Sequence, residues 1–165
     1  MDDDMSDALP WEVAAGPAPK EPGITVDLSR CIGCHACSVA CKTAHELPLG
    51  TFRMRVRWLQ RPDRQQLAFV PLFDPLACDL GASARGFGLA PECVRACPTE
   101  ALIYGDRAEA TSRLSRAERK AKAVPFPEVG HADIRYVGLE DWMPDKVNAG
   151  VPLSPQDDDI IYEQK

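Results

Sequence analysis

The sequence predicts an α+β fold in which a β-hairpin separates two groups of cysteines. Three observations predict it. Phe52, Met54, Val56 and Trp58 alternate with Arg53, Arg55 and Arg57, the period-two pattern of a strand with one apolar and one basic face. Residues 67–73 (LAFVPLF) read as a second strand, reached through a turn at Arg61-Pro62-Asp63. Segments 38–46 and 91–97, both beside cysteines, instead suit one or two helical turns, stopped by Pro48 and Pro98.

The other elements come in order. Residues 1–22 are acidic and rich in proline (Pro10, Pro17, Pro19, Pro22), so an extended arm is expected there. Residues 24–28 (ITVDL) have the β-branched content of a short strand leading to Cys31. Pro71 confines the 67–73 strand to an edge. Ala101–Tyr104 suits a short strand. Residues 111–123 are basic, with Ser115 and Glu118 in a capping-box pattern for a short helix. Pro125, Pro127, Pro144, Pro152 and Pro155 punctuate the last forty residues or so, and a tail lying on a partner is expected. The expected division is an arm over 1–22, a cysteine domain over 23–108, and a basic helix with extended tail over 109–165.

Composition narrows the function classes. The chain has 165 residues, 45% hydrophobic and 27% charged, with a formal net charge of −6, which argues against a general nucleic-acid binder. Residues 42–70 nonetheless hold six bases against two acids, while residues 1–30 and 140–165 each hold seven acids against two bases. The arginines at 53, 55 and 57 are either a solvated sheet face or a docking face for an acidic partner. No run approaches about 18 apolar residues, so no membrane span is expected. The start, MDDDMSD, lacks the basic and apolar regions of an export signal. By its own sequence the chain is expected in the cytoplasm, and in the periplasm only if a partner carries it there.

The seven cysteines hold the chemistry. An odd number cannot all pair within the chain, and their tight local spacing suits thiolates gathered on metal. Cys31, Cys34, Cys37 and Cys41 form C-x2-C-x2-C-x3-C, the spacing of [4Fe–4S] binding. Three thiolates on one tight loop reach three irons, and the fourth sits a helical turn onward, pointing elsewhere. Gly33 lets the loop curl close to the inorganic sulfides. Zinc modules more often show separated pairs of ligands.

The second group is Cys78 and then Cys93-Val-Arg-Ala-Cys97-Pro98, whose C-x3-C-P ending matches the last two ligands of a bacterial cluster motif. In two-cluster ferredoxins the fourth cysteine of each motif serves the other cluster. On that pattern cluster one takes Cys31, Cys34, Cys37 and Cys97, and cluster two takes Cys41, Cys78 and Cys93. The missing ligand falls at Gly81. Four outcomes remain open: a [3Fe–4S] cluster, a cube completed by Asp79, a cube completed by solvent or a partner, or an empty site. His35 is expected to tune a cluster rather than ligate it, and His45 and His131 to be ordinary surface or tail residues. No catalytic constellation is visible, so the chain is expected to have no active site of its own.

CIGCHACSVACK (31–42), LPLG (47–50), FVPL (69–72) and PECVRACPTEA (91–101) resemble the iron–sulfur electron-transfer subunits of the dimethyl-sulfoxide-reductase superfamily, over about residues 24–104. The resemblance implies a ferredoxin-like pseudo-twofold dicluster domain, here with an inserted β-hairpin and long extended N- and C-terminal arms. It also implies a large molybdenum or tungsten bis-pterin catalytic partner, with a further redox subunit or soluble carrier as the other electron partner. The family usually has four motifs and four clusters, so a shortened relay is expected. The rival readings are a free seven- or eight-iron ferredoxin and a metal-stabilised, non-redox interaction module.

Overall fold

The computed structural model describes residues 18–63, 66–126 and 131–148. The expected strand before Cys31 is β1, Pro22–Asp27, and it is central to a four-stranded sheet of order β4-β1-β6-β5. A strand covered on both faces needs no alternation, and Ile24, Thr25 and Val26 are all fully buried. Burying each of the two aliphatic side chains contributes roughly 1.5–3 kcal/mol. Thr25 is tolerated there because its hydroxyl donates to Glu118 Oε1 at 2.8 Å.

Helix α1, Ala36–Ala44, carries Cys37 and Cys41 and ends before Pro48, at a left-handed Glu46. The hairpin comes next as β2, Met54–Gln60, and β3, Leu67–Phe73, with Met54 opposite Phe73 and Gln60 opposite Leu67. It makes a two-stranded sheet of its own, where Pro71 opposite Val56 costs no inner ladder. The apolar stripe read from 52 to 58 holds only in part. Met54 and Val56 are buried, but Trp58 is 58% exposed and Leu59 takes the buried position. Trp58 instead packs edge-on against Phe69, ring centroids 5.6 Å apart, with the His35 ring 6.0 Å away.

Two short helices, α2 (Ala82–Gly86) and α3 (Glu92–Arg95), precede β4, Leu102–Asp106. Strand β4 pairs antiparallel with β1, Thr25 opposite Ile103. Helix α4, Arg113–Ala121, then packs against β4, β1 and β6. Its cap is Ser112, whose Oγ accepts from Ser115 N at 3.1 Å, so the box read at Ser115 and Glu118 is displaced by one turn. Glu118 has a different role. Its carboxylate is buried and bridges Arg107 (2.9 Å) and Arg135 (3.3 Å), tying α4 to the ends of two strands. Gly23 leaves the space that the Arg107 guanidinium fills, since a Cβ there would lie 2.5 Å from Arg107 Cζ.

The expected partner-bound tail is corrected for residues 124–126 and 131–148. Strand β5, Val124–Pro125, pairs with β6, Ile134–Val137, and β6 joins β1 in parallel, Val26 opposite Tyr136. Helix α5, Trp142–Asn148, closes the segment. Phe126, Ile134, Tyr136, Met143 and Val147 belong to the same core as Ile24 and Val70. This stretch lacks a local period because its apolar residues find their places against distant elements, β6 on the free edge of β1 and α5 against β2. The arm over residues 1–17 and the chain after 148 lie outside the described residues.

Candidate metal centre

All seven cysteines are free thiols. The chain folds them into two groups. Cys31, Cys34, Cys37 and Cys97 line one cavity, between the loop before α1 and the segment after α3. Cys41, Cys78 and Cys93 line a second, with Asp79, Gly81, Arg53 and His45 on its walls. Helix α1 leads from the first cavity at Cys37 to the second at Cys41, about 6 Å onward at 1.5 Å of rise per residue. Helix α3 leads the opposite way, from Cys93 at the second cavity to Cys97 at the first. Among the described residues, no three His, Cys, Asp or Glu side chains converge on a point fit for a single ion. The thiols stand around cavities instead.

Local backbone explains the first group. Gly33 has φ +71°, and a Cβ there would lie 2.4 Å from Phe69 Cδ1, so only glycine lets the loop pass under the hairpin. His35 is also left-handed, at φ 62°, and forms the N-cap of α1. Backbone amides point at the sulfurs. Ala101 N donates to Cys97 Sγ at 3.2 Å, and the amides of Gly33 and Ser38 serve Cys31 and Cys37. Burial, with neighbouring thiols beside it, pushes the Cys37 thiol up to about 12 and raises Cys31. Without a cation these sulfurs keep their protons. Binding metal there is coupled to losing them.

The second group is deeper and more polar at its rim. Burial pushes Cys41 up to about 11, and raises Cys78 and Cys93; in both Cys41 and Cys78 the Arg53 guanidinium opposes the rise. Cys93 feels Cys41, Cys78 and Cys37 as neighbours. Asp79 lines this cavity, but both its oxygens are engaged. Oδ1 accepts from Gly81 N (2.9 Å) and Ala82 N (3.4 Å), and Oδ2 pairs with Arg53 at 3.1 Å. Burial raises the Asp79 carboxyl, but the hydrogen bonds from Arg53 and the two amides outweigh it and hold the group below the usual carboxylate range. Gly81 has φ +69°, and a Cβ there would come within 2.7 Å of Pro91 Cγ. The position that the spacing marks as a missing cysteine is thus one where a side chain does not fit.

The donor chemistry fits iron–sulfur clusters. Thiols, amides aimed at sulfur and a left-handed glycine in the binding loop make up the first cavity, and three thiols beside a guanidinium make up the second. Two residues on the second cavity's wall, and one behind it, carry more than their sequence context suggests. Arg53 is one of three alternating arginines, yet it faces Asp79. His45 lines the cavity, its Nε2 3.4 Å from Arg53 Nη1. His131 Nε2 lies 3.2 Å from the Cys78 carbonyl oxygen. Neither histidine is an ordinary surface or tail residue. Only His45, four positions after Cys41 on the same helical face, leaves a signal that sequence spacing can catch.

Comparison with known proteins agrees with the motif. The 4Fe-4S binding domain family matches residues 22–43. A tetrathionate reductase subunit of Salmonella typhimurium is 36% identical over 80 residues, 47% of this chain and 28% of that protein. The thiosulfate reductase electron transfer subunit PhsB of Salmonella typhi is 29% identical over 130 residues, 74% of this chain and 58% of that protein. The electron transport protein HydN of Escherichia coli is 37% identical over 98 residues, 59% of this chain and 50% of that protein. The matched region spans less than two thirds of each of these relatives. Their names are those of electron-transfer and reductase subunits, in keeping with the absence of a catalytic constellation from the sequence. Residues 22–43 thus match a 4Fe-4S binding domain, and the chain is similar to iron–sulfur and electron-transfer subunits of reductases.

Proposed function

We propose that this chain relays electrons to or from a molybdenum or tungsten bis-pterin catalytic subunit through two clusters in a ferredoxin-like pseudo-twofold domain. Cys31, Cys34, Cys37 and Cys97 would hold a [4Fe–4S] cluster, and Cys41, Cys78 and Cys93 a [3Fe–4S] cluster. Such groups, when bound, each store and pass one electron. The observation that carries this reading is the crossing of the helices: each of α1 and α3 begins with a thiol at one cavity and ends with, or leads to, a thiol at the other. Two sites so close exchange electrons within the chain. The residues of this chain do the rest: burial shields Cys37 and Cys93, amides stabilise charge on the sulfurs, and Arg53 offsets charge at the second site.

Access to a partner fits the first cavity. Cys34 is the exposed cysteine, and Ile32 (57%) and Trp58 (58%) stand exposed near it, Trp58 through its contact with His35. Exposed apolar side chains around a redox centre are the ordinary composition of a docking face. A second reading, the free seven-iron ferredoxin, gains from the C-terminal segment. Phe126, Ile134, Tyr136, Met143 and Val147 pack into the chain's own core rather than on a partner. Two measurements separate the possibilities. Iron and acid-labile sulfide analysis with EPR on anaerobic protein is expected to give about seven irons and an oxidised-state three-iron signal. Affinity capture from the native source is expected to bring down a pterin-containing subunit; a lone monomer would favour the mobile carrier.

A further inference from the structure

Three donors line the second cavity as thiols, while a carboxylate that could serve as a fourth, Asp79, stands on its wall with every oxygen occupied. We propose that Asp79 is a latched fourth ligand: its ion pair with Arg53 keeps the second site at three irons, and releasing Arg53 lets the site take a fourth. The inference rests on the three-iron reading of that site.

Two structural facts carry it. First, the backbone and its neighbour oppose any side chain where the motif would place its cysteine. Gly81 is left-handed at φ +69°, and a Cβ would meet Pro91 at both Cγ (2.7 Å) and Cα (2.9 Å), the latter a backbone atom that cannot swing aside. Second, the adjacent carboxylate is tied down from two sides. The Gly81 and Ala82 amides hold Oδ1 in a tight turn, which fixes where the side chain points. The Arg53 guanidinium, three-quarters buried, occupies Oδ2 at 3.1 Å. The amide contacts leave Oδ2 free to turn toward another cation if Arg53 is gone. Arg53 also lies near His45, so one guanidinium organises the polar wall of the cavity. A cation bound by Asp79 must therefore displace Arg53, and two positive groups compete for one oxygen.

Atoms and electrons balance in the conversion. A reductant supplies one electron to the oxidised three-iron group, bringing its core to zero charge. One ferrous ion then adds, giving a four-iron core of charge 2+. The Arg53–Asp79 ion pair breaks, and an Asp79 Oδ2–iron bond forms. No further electron is transferred.

The test uses the full chain, purified anaerobically, with dithionite as reductant and ferrous iron in excess. EPR after reoxidation and iron counting are the readouts. The unaltered protein is expected to keep its three-iron signal and about seven irons. Arg53→Gln is expected to lose that signal after iron addition and rise to about eight irons. The double variant Arg53→Gln/Asp79→Asn is expected to keep the signal, which assigns the fourth ligand to Asp79 rather than solvent. Arg53→Lys, which preserves the charge without the planar fork, serves if Arg53→Gln does not accumulate as folded protein, and is expected to take iron partially. The latch is overturned if the unaltered protein takes the fourth iron as readily as the variants, or if the single variants refuse it. Four irons and no oxidised-state signal in the unaltered protein would instead overturn the three-iron reading itself.

Discussion

The two cavities share a helix pair and differ in what surrounds their thiols. The first has four cysteines, amide donors and an apolar, partly exposed rim. The second has three cysteines, deeper burial, and a rim made of Arg53, Asp79 and His45. A missing cysteine would be a simple loss if its place were otherwise unchanged. Here the place itself has changed: Pro91 fills the space and Asp79 spans the turn. The second site is a reorganised pocket, and its polar wall is as specific as the thiols of the first.

The largest effect expected is from Cys97→Ala. It should remove about four irons and the reduced-state cube signal while leaving the oxidised three-iron signal in place. Loss of the three-iron signal instead would break the grouping of Cys97 with the first cavity. Next comes Glu118→Ala, which leaves Arg107 and Arg135 without their shared buried carboxylate and is expected to cost about 3–5 kcal/mol. Because that carboxylate braces the sheet beneath both cavities, denaturant titration should show the loss without any selective change in either EPR signal.

Gly81→Cys sharpens the contrast further. Restoring the motif should not restore a cube, because the left-handed backbone and Pro91 oppose the side chain, with a cost of about 1–3 kcal/mol expected in the folded state. A clean four-iron second cluster in that variant, by EPR and iron count, would mean the turn is more pliant than its geometry implies. The smallest effect is expected from His131→Ala. Loss of its hydrogen bond to the Cys78 carbonyl should cost about 1 kcal/mol and broaden the three-iron signal, with the cube signal unaltered.

Much of this is legible in the linear chain because it is local. Cysteine spacing states which thiols share a loop, and the 67–73 strand coincides with β3 because its composition and its turn are both short-range signals. Residues 131–148 are not legible. Ile134 and Tyr136 show only a scrap of alternation, and their burial depends on a parallel pairing with β1, more than a hundred residues earlier. Arg53 misleads for a related reason. Its alternation with Phe52 and Met54 is real, but its partner, Asp79, comes from across the hairpin. Trp58 departs from its stripe because packing on Phe69 and His35 draws it to the rim.

The parallel strand β6 also sets an order of events during synthesis. The last cysteine is Cys97, yet Tyr136, whose hydroxyl donates to the Pro71 carbonyl at 2.7 Å, and His131, which meets the Cys78 carbonyl, come later. At about 5–20 residues per second the ribosome needs about 2–8 s to add the stretch from Cys97 to Val137. Throughout that interval every thiol has been made while the central strand still lacks its parallel neighbour. Until β6 is made, the Pro71 carbonyl lacks its Tyr136 partner and the Cys78 carbonyl its His131 partner. Once β6 docks, His131 holds the Cys78 carbonyl and Tyr136 the Pro71 carbonyl, so residues made last brace the segments that carry the thiols.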